Sequence, residues 1–147
     1  MIGLGGMITG SGTVSGDLDN SAAIVSPGNS PGIFEVTGDY SQGDEATLQI
    51  EIGGTTLEEQ YDQLMVGGTA DLAGILDVQL IDDFQPGDGD SFSILEFGSV
   101  AGTFDQIQLP TLDDGLAWDD SSLYVSGQLS VTAIPEPSAL ALAALAL

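Results

Sequence analysis

Lysine, arginine, histidine and cysteine are all missing from the 147 residues, so 23 Asp and Glu stand without one side-chain cation and the formal charge is −23. Each absence removes a class of function. Binding to nucleic acid needs protein cations that displace counterions from phosphate. Electrostatic attachment to anionic lipid heads needs them as well. No nucleic-acid partner is therefore expected. Without cysteine the chain forms no disulfide and offers no thiolate to a metal. Without His or Lys a serine nucleophile lacks its usual base, and a polysaccharide lyase lacks the Lys or Arg that would take the proton.

The remaining catalytic inventory is carboxylate. A glycoside hydrolase needs two carboxyl groups flanking one bond, and the candidates are Asp82-Asp83, Asp113-Asp114 and Asp119-Asp120. Adjacent acids on a strand point to opposite faces, and in a turn they are solvated. No enzyme is expected. Divalent cations and neutral polymers remain as partners. The loop from Asp82 to Asp90 gathers oxygen ligands of the kind calcium takes, with Asp82, Asp83, Asp88 and Asp90 as candidates. It has neither the EF-hand spacing nor a glycine-rich nonapeptide repeat. An acidic turn between two strands is the preferred reading, with no resident cofactor. Tyr61, Trp118 and Tyr124 could stack on sugar rings, although such rings more often fill a β core or close its open end.

What is present is a folded, punctuated pattern. Hydrophobic residues make up 42% of the chain and the mean hydropathy is +0.24, too apolar for a disordered acidic tail. Thr47-Leu48-Gln49-Ile50-Glu51-Ile52 alternates and stops at Gly53-Gly54. So do Leu76-Asp77-Val78-Gln79-Leu80, Ser91-Phe92-Ser93-Ile94-Leu95 and Phe104-Asp105-Gln106-Ile107-Gln108-Leu109, and the short runs Leu123-Tyr124-Val125 and Leu129-Ser130-Val131 read the same way. Period two over about five residues, closed by turn residues, predicts half-buried strands. Only Leu57 to Leu64 and the C-terminal tail have room for a helical turn.

The class is all-β, closing as a sandwich, a barrel or a solenoid. A solenoid is favoured by a loose recurrence of strand, Gly-x turn and strand. It occurs at Thr13-Val14-Ser15-Gly16-Asp17-Leu18, Phe34-Glu35-Val36-Thr37-Gly38-Asp39-Tyr40 and Leu64-Met65-Val66-Gly67-Gly68-Thr69-Ala70-Asp71-Leu72. The expectation is the end of a right-handed parallel β-helix over residues 1–80. A capping β unit follows over 81–132, then a tail with a short apolar helix over 133–147; the alternative is a β-sandwich. Leu48, Ile50, Ile52, Leu64, Val66, Leu76, Val78 and Leu80 are expected to line one interior.

Two stretches resemble known families. Ser26-Pro27-Gly28-Asn29-Ser30-Pro31-Gly32, Gly38-Asp39-Tyr40-Ser41-Gln42 and Tyr61-Asp62-Gln63-Leu64-Met65-Val66, in that order, resemble passenger segments of autotransporter-like β-helix proteins. Pro135-Glu136-Pro137, followed by Ser138 and the apolar run Ala139 to Leu147, resembles a PEP-CTERM sorting signal of exopolysaccharide-producing bacteria. In that family the motif precedes a transmembrane helix and an Arg-rich end, and its reader is an exosortase, a membrane-embedded thiol transpeptidase. Nine apolar residues fall short of the roughly 20 that span a bilayer, so the chain is expected to be a C-terminal fragment cut inside the sorting helix. Met1 to Gly12 shows no signal-peptide pattern, so its head is expected to be incomplete too. The resemblance implies a secreted or cell-surface structural or adhesive module, non-catalytic, associated with exopolysaccharide or biofilm matrix and transiently anchored in the membrane by its tail. The alternative is a secreted carbohydrate-binding or carbohydrate-active protein whose active region lies upstream.

Overall fold

Short alternating runs leave each strand with one apolar face, and that face must find a partner. In the computed structural model, which describes residues 6–27, 32–57 and 59–134, they find it by returning to the same three sheets in rotation. The first passage is β1 (Met7–Gly10), β2 (Gly12–Val14) and β3 (Leu18–Asn20). The second is β4 (Ile24–Pro27), β5 (Ile33–Val36) and β6 (Tyr40–Gln42). The third is β7 (Thr47–Ile52), β8 (Gln63–Val66) and β9 (Thr69–Leu72), after which β10 (Ile75–Leu80) begins a fourth. Next come β11 (Ser91–Ser93), β12 (Leu95–Glu96), β13 (Ser99–Gly102), β14 (Gln106–Gln108), β15 (Leu116–Asp119), the helical turn α1 (Leu123–Ser126) and β16 (Gln128–Ala133).

The sheet orders are β1-β4-β7-β10-β14, β2-β5-β8-β12 and β3-β6-β9-β13, all parallel. A smaller sheet, β11-β16-β15, is antiparallel. The class is all-β, as expected. A sandwich is built on antiparallel sheets, so the parallel pairing removes that alternative.

Register stacks like on like. Val25, Leu48 and Leu76 form one inward column, Phe34, Leu64 and Leu95 a second, Val14, Val36 and Val66 a third. Leu48, Ile50, Ile52, Leu64, Val66, Leu76 and Val78 are buried, as the alternation predicted, and Leu80 is half-buried. Each such side chain contributes about 1.5–3 kcal/mol on leaving water. A one-residue slip would turn a whole strand inside out, so these columns also fix the register.

Three expectations are corrected. Parallel pairing does not stop at Leu80: β12, β13 and β14 continue the three sheets, because Leu95 and Ile107 extend columns already running through Leu64 and Leu76. Leu123-Tyr124-Val125 is not a strand but α1. Leu123 N donates to Asp120 O at its start, and Gly127, at φ 76°, ends it. These local turn bonds override the β preference of Tyr and Val, which is a weak, context-dependent term. Between Leu57 and Leu64 a single bond from Gln60 N to Thr56 O is the only helix-like feature among the described residues, and Gln63 and Leu64 belong to β8.

Candidate functional site

The corner between the second and third sheets is where the chain repeats itself most closely. Gly16, Gly38, Gly68 and Gly98 stand in one column there, joined by Gly38 N to Gly16 O (2.9 Å), Gly68 N to Gly38 O (2.9 Å) and Gly98 N to Gly68 O (2.9 Å). The residues after them carry a relay of oxygens. Asp17 Oδ1 accepts from Asp39 N at 2.8 Å, Asp39 Oδ1 accepts from Thr69 N at 2.8 Å, and the Thr69 and Ser99 hydroxyls share a bond of 2.7 Å. A Cβ at Gly38 would overlap Asp17 Oδ1, and one at Gly68 would overlap Asp39 Oδ1. Each carboxylate thus occupies the space its neighbour's glycine leaves free. The first three of these corners were visible as the Gly-x recurrence; the fourth, Glu96-Phe97-Gly98-Ser99, escaped because it carries Ser where the others carry Asp or Thr.

A second corner, leading back to the first sheet, is buried and polar. Asn20 Oδ1 accepts from Ala23 N (2.8 Å) while its amide donates to Ala23 O (3.1 Å) and the Tyr40 hydroxyl (3.3 Å). Burial pushes the Tyr40 phenol well above its ordinary value, so it stays protonated and donates to Gln42 Oε1 at 2.7 Å. Gln42 in turn donates to Ala73 O (2.8 Å) and Ile75 O (3.1 Å). Asn20 and Gln42 are register partners, so the amides climb the stack as the leucines do.

Asp62 is the buried acid. Its Oδ1 accepts from Gly32 N (2.8 Å) and its Oδ2 from Glu51 N (2.9 Å), tying the second passage to the third. Burial pushes its carboxyl up to about 6, against the pull of those two N–H donors, with the Glu51 charge adding to the rise. Nothing in the sequence marks it beyond Tyr61-Asp62 in the resemblance, because both partners are backbone groups brought from other strands.

The loop considered for calcium divides its carboxylates. Asp88 Oδ1 accepts from Ala133 N (3.0 Å) and Asp90 Oδ2 from Gly87 N (2.9 Å). Asp82 and Asp83 are exposed in a turn with left-handed backbone, φ 56° and 58°. Among the described residues no group of three or more Asp, Glu, His or Cys is arranged to hold a metal ion. Asp113, Asp114 and Asp120 are exposed. Asp119 accepts from Ser121 N at 2.9 Å, and hydrogen bonds from Ser121 hold its carboxyl below the usual value.

Of the three rings considered for sugar stacking, Trp118 and Tyr124 belong to the closing unit and Tyr61 packs against it. Tyr61 meets Phe92 edge-on at 5.4 Å, and its hydroxyl accepts from Ser93 N. Trp118 tilts against Phe92 at 6.1 Å and donates its indole N–H to Pro110 O at 2.9 Å. Tyr124 packs on Phe104 and accepts from Phe104 N at 3.1 Å. The sorting motif Pro135, Glu136, Pro137 and the apolar tail lie outside the described residues. No helix among the described residues is long and apolar enough to cross a membrane. No family model matches the chain, and neither does any curated protein or solved structure.

Proposed function

We infer that this protein is a non-catalytic structural or adhesive module of the bacterial cell surface or extracellular matrix. In this reading it is the end of a right-handed parallel β-helix followed by an exosortase-type sorting signal. The observation that carries it is the rotation of the strands through three parallel sheets with stacked corners, an arrangement whose side chains serve the stack itself. The Asp17–Asp39 relay and Asp62 spend their oxygens on neighbouring backbone N–H groups, and the Asn20–Tyr40–Gln42 chain ends on the backbone of Ala23, Ala73 and Ile75. Crossovers between parallel strands are right-handed in about 98% of cases, which supports the hand. A stack with nearest-neighbour contacts is a spacer whose length scales with the number of repeats, and a spacer suits a chain destined for a polysaccharide matrix. High negative charge keeps such a surface from collapsing on itself or on neighbours.

The tail supplies the address. Two prolines fix φ and deny helix to the residues before them, so a Pro-Glu-Pro motif such as Pro135-Glu136-Pro137 suits recognition by a membrane-embedded transpeptidase. Glu136 is the charged side chain between Asp120 and the C-terminus and serves as the recognition handle. The test is expression in an exopolysaccharide-producing host that carries an exosortase. With a full sorting helix and basic end supplied after Leu147, the protein should be processed and released into the matrix, and its Glu136→Ala variant should accumulate as an uncut, membrane-retained species. Equal release of both would reduce the tail to a linker with a greasy end.

A further inference from the structure

At the start of the stack, β1, β2 and β3 are the outer strands of all three parallel sheets. Among the described residues they leave three rows of backbone groups at one end with no further strand beside them, which is a template for added strands. We propose that this end is a docking surface for one further parallel β passage that carries a Gly-Asp corner, extending the three sheets at once. The proposal rests on reading the sheets as one continuous winding.

The corner column specifies the occupant. In the first two steps the Asp of one passage accepts from the N–H of the next, Asp17 from Asp39 and Asp39 from Thr69. The direction is fixed, so a passage added on β1 to β3 brings the carboxylate that Asp17 N–H would meet. Its place is open: the positions over Gly38 and Gly68 are filled by Asp17 and Asp39, whereas over Gly16 nothing lies within 4 Å among the described residues. Two core columns are unfinished in the same direction, ending in Ile8 and Val14, both half-buried.

A second copy of this chain fits poorly. Two identical ends related by a two-fold axis would meet antiparallel, which sets no Asp over Gly16 in the register of the relay. Each copy would also bring a formal charge of −23 to the contact. The occupant is therefore a parallel β passage that brings a Gly-Asp corner in the register of the relay.

The test uses the whole chain with a second copy of residues 24–46 inserted between Gly6 and Met7. Ile24 and Thr47 are register partners across that 23-residue step, so the insert delivers Met7 to the place Thr47 takes after the original. Amides of β1, β2 and β3 should gain at least tenfold protection from hydrogen exchange, and the melting midpoint should rise. Changing the inserted copy's counterpart of Asp39 to Ala should leave strand protection but restore fast exchange at Asp17 N–H. Unchanged exchange at β1 to β3 overturns the proposal, whether or not the insert is ordered. So does concentration-dependent dimerisation of the parent chain that protects the same amides, since the edge would then belong to a second copy. The underlying reading fails separately, as unprotected amides in β4 to β9 of the parent.

Discussion

The two ends of the stack share one core and treat it differently. At the β1–β3 end the inward columns run out into Ile8 and Val14, both half-buried. At the other end Phe92, Leu123, Leu129 and Val131 are fully buried, and Phe92 receives Tyr61, Phe84 and Trp118 around its ring. Backbone groups are closed there as well. Gly127 O accepts from Ile94 N (3.0 Å) and Leu95 N (3.1 Å), and the Tyr124 hydroxyl accepts from Phe104 N. In a stack with nearest-neighbour contacts a terminal passage has only one neighbour. The antiparallel sheet and α1 stand in for the missing neighbour at one end, using rings where the body uses aliphatic columns.

The largest expected effect tests that asymmetry directly. Phe92→Ala should cost about 3–5 kcal/mol, the range for removing a buried ring, because Tyr61, Phe84 and Trp118 lose the ring they share. Ile8→Ala, a change of comparable chemistry at the open end, should cost about 1 kcal/mol or less, since its side chain is already half in water. Urea unfolding of the two variants measures both. Equal losses would mean that the first passage is as tightly held as the last.

The body of this structure was more legible than its ends. Leu48-Gln49-Ile50-Glu51-Ile52 declares its faces by strict alternation, and stacked columns then follow from burying them. The winding was harder to see because the steps differ in length: Met7 pairs with Ile24, Ile24 with Thr47, Thr47 with Ile75 and Ile75 with Gln106. Loops of unequal length between equal strands erase the period. Leu123-Tyr124-Val125 misled because three residues with β preference are too few to outweigh the turn bonds at Asp120 and Gly127. Asp62 was not legible as a buried acid, since an Asp in sequence looks solvated until Gly32 and Glu51 bring their N–H groups to it.

Asp62 also permits a perturbation at neither end. Its carboxyl titrates near 3.8 when unfolded and at about 6 when folded. The folded state thus holds the proton more tightly, so this group makes the protein more stable as pH falls from 6 towards 4, and that gain is absent above 6. A shift of this size is on the order of 3 kcal/mol at full extent. Relief of self-repulsion among the other carboxylates acts in the same direction, and Glu51 faces Asp62 directly. Asp62→Asn isolates the component, because it cannot titrate. Urea midpoints at pH 4.5 and 7 should differ less in the variant than in the parent. Exchange at β1 should keep its pH dependence in both. Matching slopes would place the titration elsewhere.

The smallest effect separates the ends within a single motif. Asp17→Ala and Asp39→Ala each delete one carboxylate that accepts one backbone N–H at the same exposed corner, a bond worth about 1 kcal/mol net. On contacts alone the two should be equal. They are not equivalent in a stack, because an end passage can open without the rest. Losing the Asp17 bond loosens β3 against β6, and the first passage then frays while the body stays paired. The melting midpoint should hardly move, whereas exchange at Asp39 N–H and along β3 should speed up. Losing the Asp39 bond loosens β6 against β9 in the middle, where opening exposes Tyr40 and Ala70 from the core. That variant should lower the midpoint by the full value of the bond. If Asp17→Ala lowers it equally, the first passage melts with the whole, and the open end is as much a part of the cooperative unit as the end closed by Phe92.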